Sequence, residues 1–126
     1  MKQKDLATIL SFETDDFTHK LLSGKTLNRQ QDAANTRQAF LATKVISRVD
    51  VQVLDLKIQS AQANVVASQI LEATIVDPQG KEHTLVSKSK SRDTWVKVEG
   101  HWKIKYSEDF EGSDTIDGHP VNNTNS

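Results

Sequence analysis

The chain of 126 residues contains no cysteine. Disulfides, thiolate nucleophiles and cysteine-ligated metals are therefore excluded. There are only two prolines and five glycines. The glycines are isolated, so no Gly-rich phosphate loop and no nucleophile elbow can be built from them. No apolar run approaches the roughly 18 residues needed to cross a bilayer. The stretch after Met1-Lys2-Gln3-Lys4-Asp5 is too short for the apolar region of a signal peptide. The expectation is a soluble chain, either cytoplasmic or exported with its leader removed. The formal net charge is −1. That argues against a dedicated nucleic-acid or membrane-surface binder, which needs a clear excess of Lys and Arg.

What is present suits one domain. Hydrophobic residues make up 36% and charged residues 26%, somewhat polar for a compact monomer, so a polar tail or cavity is expected. Residues 3–10 carry a weak helical pattern through Leu6, Ile9 and Leu10. Residues 12–22 read as an extended segment ending at the Ser23-Gly24-Lys25 turn. Asn28 is a natural N-cap, and Gln31 three residues on completes a capping-box pattern. The spacing predicts a helix over 29–42 with Ala33, Thr36, Phe40 and Leu41 as its buried stripe.

From Val45 the period changes to two. Val49, Val51 and Val53 alternate with polar residues; then the phase slips, and Leu54, Leu56 and Ile58 carry the pattern. A one-residue slip would put one set on the wrong face. A bulge or bend near Val53-Leu54 resolves it, and a bent strand fits a strongly curved sheet. A second long strand over 63–76 ends at Asp77-Pro78-Gln79-Gly80-Lys81, a bulged hairpin loop. Its register sets Ile75 against His83, Ala73 against Leu85 and Leu71 against Ser87. A third strand over 82–98 turns at Glu99-Gly100 into a fourth over 101–108. A plain two-residue loop there pairs Trp95 with Ile104 and Asp93 with Tyr106. Residues 1–110 read as a single domain, and 111–126 as a flexible tail. Asn122-Asn123-Thr124 within it is a chance glycosylation match.

The closing segment Arg92-Asp93-Thr94-Trp95-Val96-Lys97-Val98-Glu99-Gly100-His101-Trp102-Lys103-Ile104 carries a Trp-Val-x-x-x-Gly-x-Trp-x-Ile pattern. With the element order and with Asp16-Phe17 ahead of Gly24-Lys25-Thr26-Leu27, the chain over about 5–110 resembles the SnoaL-like branch of the nuclear transport factor 2-like superfamily. The resemblance implies an α+β fold, a strongly curved antiparallel sheet wrapped around N-terminal helices into a cone. The helical region ahead of Phe12 is shorter than is usual in that family. The fold hosts isomerases, dehydratases, cyclases, binding proteins and assembly domains, so it does not define an activity.

Odd positions of the third strand share a face. If Leu71, Ala73, Ile75 and Trp95 mark it as the concave one, then Ser87, Ser89, Ser91 and Asp93 line a cavity, with Gln69 and Trp102 as further ligand contacts. Asp93 and Tyr106 are the expected catalytic pair, a desolvated carboxylate as base and a phenol as donor. A simple Tyr–Asp hydrogen bond explains that pair as well as catalysis does. His19, His83, His101 and His119 show no ligand spacing, so neither a metal nor a cofactor is expected. Asp15-Asp16 and Glu108-Asp109 point to opposite faces as neighbours in strands, although Asp16 and Asp109 could approach in space. Even positions carry Lys88, Lys90 and Arg92 together with Val66, Ile70, Val76, Val86, Val96 and Val98. An apolar face of that kind needs a cover, either a helix or a second subunit, and the resemblance implies a homodimer packed sheet to sheet.

The expected function is a small domain binding an apolar ligand or a partner in its cone and dimerising by its sheet. A cofactor-independent isomerase, dehydratase or hydrolase, or a pure assembly domain, are the alternatives.

Overall fold

The structure, a computed structural model, describes residues 6–121. Its elements in order are α1 (Leu6–Ser11), β1 (Glu13–Lys20), β2 (Thr26–Asn28), α2 (Arg29–Ala42), β3 (Thr43–Gln59), β4 (Gln62–Val76), β5 (Glu82–Val98), β6 (His101–Ile116) and β7 (His119–Val121). The strands form one open, curved sheet in the order β2-β1-β6-β5-β4-β3, with β7 attached to β6. β1 runs parallel to β6, and the other described pairs are antiparallel.

α2 starts where its cap chemistry requires. The Asn28 side chain accepts from the Gln31 amide at 2.8 Å, and the Gln31 side chain accepts from the Asn28 amide at 2.9 Å. Both atoms of the capping box are thus in place. The expected buried stripe is weaker than its spacing suggests. Ala33, Thr36 and Phe40 are half-buried, but Leu41 is 81% exposed. α2 packs against α1, β1, β2 and β3, and Leu41 lies on the side of the helix away from them.

The phase slip in β3 is a bulge. The register with β4 shifts between Val53 and Asp55. As a result Val51 opposite Gln69, Val53 opposite Ala67, Leu56 opposite Val65 and Ile58 opposite Ala63 all lie on one face. The β4–β5 register sets Ile75 against His83, Ala73 against Leu85 and Leu71 against Ser87, as the loop chemistry implies. At the next hairpin, Glu99 (φ 51°) and Gly100 (φ 81°) both take the left-handed conformation of a two-residue turn.

Two expectations are corrected. β6 does not stop near residue 108 but continues to Ile116, and His119–Val121 folds back on it as β7. Glu111–Val121 is therefore sheet and turn, not tail, because Val86, Ser87 and Lys88 of the long β5 give Ser113, Asp114 and Thr115 ladder partners. Asn122–Asn123–Thr124 lies outside the described residues. The pairing of β5 with β6 also carries two bulges, between Thr94 and Trp95 and between Lys90 and Ser91.

The buried apolar residues Phe17, Leu21, Leu27, Ile46, Ala63, Ala67 and Ala73 define the inner face, the one toward α2. Ile46 lies directly across from Ala73. Removing a buried aromatic such as Phe17 from a core this small costs about 3–5 kcal/mol.

Candidate functional site

The bulge at Thr94–Trp95 decides which side chains share the inner face. Trp95 still opposes Ile104, but Thr94 opposes Tyr106, and Asp93 opposes Ser107. The expected Asp93–Tyr106 pair is not formed. One extra residue, Lys105, puts Tyr106 on the outer face beside Arg92 and Thr94. Ser107 takes its place and donates to Asp93 at 2.6 Å, while Ser91 donates to the other carboxylate oxygen at 3.3 Å. Burial pushes the Asp93 carboxyl up, against the pull of these two hydrogen bonds.

Beside Asp93 lies a group that strand parity alone does not reveal. His19 of β1 bonds to Asp32 of α2 through Nδ1 at 2.7 Å and to Asp109 of β6 through Nε2 at 2.9 Å. All three side chains are largely buried. Burial opposes the imidazolium, but the hydrogen bonds and charges of Asp109 and Asp32 prevail, and its pKa is raised to about 10. Both ring nitrogens must then be donors. Glu13 completes the cluster. Burial, followed by the charge of Asp32, raises its carboxyl, while Arg29 and His19 lower it. Glu13 Oε1 lies 3.7 Å from Arg29 Nε, and neither buried atom has a hydrogen-bond partner among the described residues.

These residues form rows across the strands. One row runs His19, Ser107, Asp93, Val65, Leu56. The next runs Asp109, Ser91, Ala67, Val53. Each row is ionised or hydroxylic at the β1–β6 end and apolar at the β3 end. With strands about 4.8 Å apart, the longer row spans roughly 19 Å. α2 covers the polar end; at the other end Val51, Val53, Leu56 and Ile58 are each more than half exposed.

The other expected contacts separate. Ser91 is buried within the cluster. Ser87 opposes Leu71 and Asp114, and Ser89 opposes Gln69 and Gly112, further along the same face. Gln69 is exposed. Trp95 is half-buried opposite Ala63 and Ile104. Trp102 opposes Lys97, whose ammonium lies 5.9 Å from its ring. Asp16 does not approach Asp109; it accepts from Thr14 at 2.7 Å and lies 3.7 Å from Lys105. On the outer face, a shallow recess of about 340 Å³ is lined by Ser68, Ile70, Lys88, Lys90, Glu111 and Ser113 among others.

His83 is held in the same manner as His19, by Asp117 at 2.6 Å and Asp77 at 2.8 Å. It lies where the β4–β5 and β6–β7 turns meet. Among the described residues no cluster of His, Asp and Glu has the geometry to hold a metal ion. No helix of the described residues is long and apolar enough to cross a membrane.

No family model and no curated protein matches the sequence. Solved structures do match. A conserved protein from Planctomyces limnophilus is 13% identical, with a TM-score of 0.70 over 93% of this chain and 83% of that one. A protein from Novosphingobium aromaticivorans, provisionally assigned as a scytalone dehydratase, is 15% identical, with a TM-score of 0.71 over 89% and 75%. An NTF2-like protein of unknown function from Prochlorococcus is 17% identical, with a TM-score of 0.65 over 85% and 79%. Likeness at these identities establishes architecture, and the chain has the nuclear transport factor 2-like fold, a cone-shaped α+β structure.

Proposed function

We propose that the chain binds a small amphipathic ligand laid across the strands of its inner face. The row His19–Ser107–Asp93–Val65–Leu56 carries this reading. A polar group of the ligand meets Asp93 and its hydroxyl partners. An apolar body lies along Val65, Leu56 and the neighbouring Val53 and Ile58. A few convergent polar groups beside an apolar wall are what a small-molecule site needs. Trp95 shares this face and reports on occupancy. Titration with amphipathic probes such as long-chain alcohols and steroid-like ketones should change its fluorescence, and Leu56→Asp should weaken the response at least about tenfold. A response unchanged in Leu56→Asp would sink the proposal.

Acid–base catalysis is the second reading, and the raised Asp93 carboxyl favours it. A base with a pKa closer to neutrality is better matched to proton abstraction. Tyr106 is not its partner, being on the opposite face. His19 has both N–H groups committed to carboxylates, so it orients Asp109 and Asp32 without offering a proton to a ligand. Solvent deuterium entering a ketone probe, and failing to enter with Asp93→Asn, would support this reading. No exchange with either protein across a panel of ketones would count against it.

Self-association through the sheet belongs to the same proposal. Val66, Ile70, Val86 and Val96 on the outer face are half-buried within the chain, and Val98 is exposed. Sedimentation velocity over a range of concentrations tests it.

A further inference from the structure

The sheet has two ends in its strand order. One is β2, three residues long; the other is β3, with 17 residues. A long unpaired edge is a template for another chain. β3 guards most of its length. Its first half carries Lys44, which pairs with Glu82, and Arg48, which pairs with Asp50 at 2.5 Å and Glu72 at 2.8 Å. Register shifts at Thr43–Val45, Ile46–Arg48 and Val53–Asp55 further disrupt it. Beyond the last shift the strand is regular to Gln59, and its two charges there, Asp55 and Lys57, alternate with apolar side chains. Leu54, Leu56 and Ile58 are 47%, 53% and 59% exposed.

We propose that this segment, residues 54–58, pairs antiparallel with the same segment of a second copy about a two-fold axis at Leu56. The argument is charge complementarity. In that register Asp55 of each chain stands directly opposite Lys57 of the other, twice over. Leu56 opposes Leu56, and Ile58 meets Leu54, the bulged residue that has no partner in β4. A two-fold interface must be self-complementary, and Leu-Asp-Leu-Lys-Ile satisfies that about its centre. Among the described residues neither Asp55 nor Lys57 forms an ion pair within the chain. Opposite charges directly across a ladder stabilise it and like charges destabilise it. The pairing also closes on itself. Each copy uses its long free edge once, and the three-residue edges of β2 and β7 are too short to propagate a filament. The inner-face apolar rows of the two copies would then meet at the seam. The inference rests on the reading that the sheet self-associates, and names its edge, not its outer face, as the contact.

The test is a charge swap followed by sedimentation velocity. Asp55→Lys alone and Lys57→Asp alone each set like charges opposite one another, and each should weaken the dimer about tenfold or more. An equimolar mixture of the two variants restores both complementary pairs and should sediment as a heterodimer. Both substitutions are on an exposed edge, and circular dichroism verifies folding. Val86→Asp, on the outer face, should leave the dimer intact. If Val86→Asp dissociates it while the edge variants do not, the edge proposal is overturned and association by the sheet stands. A mixture that stays monomeric while the wild type dimerises overturns the edge proposal as well. A wild-type chain that is monomeric up to roughly millimolar concentration overturns both.

Discussion

His19 and Asp109 meet at 2.9 Å although they are 90 positions apart in the chain. The bond crosses the β1–β6 seam, where the pairing is parallel. With Asp32 on the other ring nitrogen, it ties β1, β6 and α2 together at one imidazolium. The inner face therefore depends on a charge state as well as on shape.

That dependence has a definite sign. His19 has its pKa raised from 6.5 to about 10, so the folded protein holds the proton more tightly than the unfolded chain. The stabilisation is fully present below about pH 6.5 and is lost as pH rises through about 10. Thermal unfolding from pH 6 to 10.5 should show the midpoint falling through that window. In His19→Gln the fall should be smaller, from a lower starting midpoint. An identical pH profile in the variant would show that the clamp does not contribute.

Asp93 has the opposite leaning. Its carboxyl is raised because burial disfavours the charge. Its contribution to stability is thus greatest below its unfolded value of 3.8 and declines as pH rises through the higher folded value. Asp93→Asn keeps an oxygen to accept from Ser107 and removes the buried charge, so at pH 7 it should be neutral or stabilising by urea denaturation. Asp93→Leu strands the hydroxyls of Ser91 and Ser107 and should cost about 1–3 kcal/mol.

The second clamp predicts a local effect. His83 has its pKa raised by Asp117 first and then Asp77, and Asp117 also accepts from the Thr84 amide at 2.9 Å. Asp117→Asn should speed hydrogen exchange at Thr84 and along the β6–β7 turn while leaving α2 unchanged. In the wild type the same loss of protection, after correction for intrinsic exchange rates, should set in at high pH as His83 loses its proton. Equal acceleration in α2 would mean global loosening.

α2 tests the energetics of its own start. Asn28→Ala removes the acceptor for the Gln31 amide and should cost about 1 kcal/mol. Asn28→Ser should retain most of that. The readout is the urea midpoint at constant slope.

Local chemistry was legible in the sequence. The capping box, the positive-φ turn at Glu99-Gly100, the bulge in β3 and the β4–β5 register all follow from residues within a few positions of one another. What was not legible depends on contacts distant in the chain. Parity places Phe17 and His19 on one face of β1, but nothing local announces that β1 runs parallel to β6 and brings His19 to Ser107 and Asp109. The bulge at Lys105 has no apolar phase slip to betray it, because Lys103, Lys105 and Tyr106 are all tolerable on an outer face. Plain alternation therefore puts Tyr106 on the wrong side. The extension of β6 to Ile116 was hidden by Gly112 and by polar residues that read as tail, yet β5 is long enough to pair them.

The two bulges between β5 and β6 bear on how this protein is compared with its relatives. Lys105 and Phe110 are each one residue more than a plain ladder needs. A position-by-position alignment with a homologue lacking them must open a gap at each. Without the first gap, Asp109 is matched to an outer-face position and the site dissolves into apparent divergence. Homologues are best recognised by aligning Ser91 and Asp93 first and asking, three-dimensionally, which residues stand across from them.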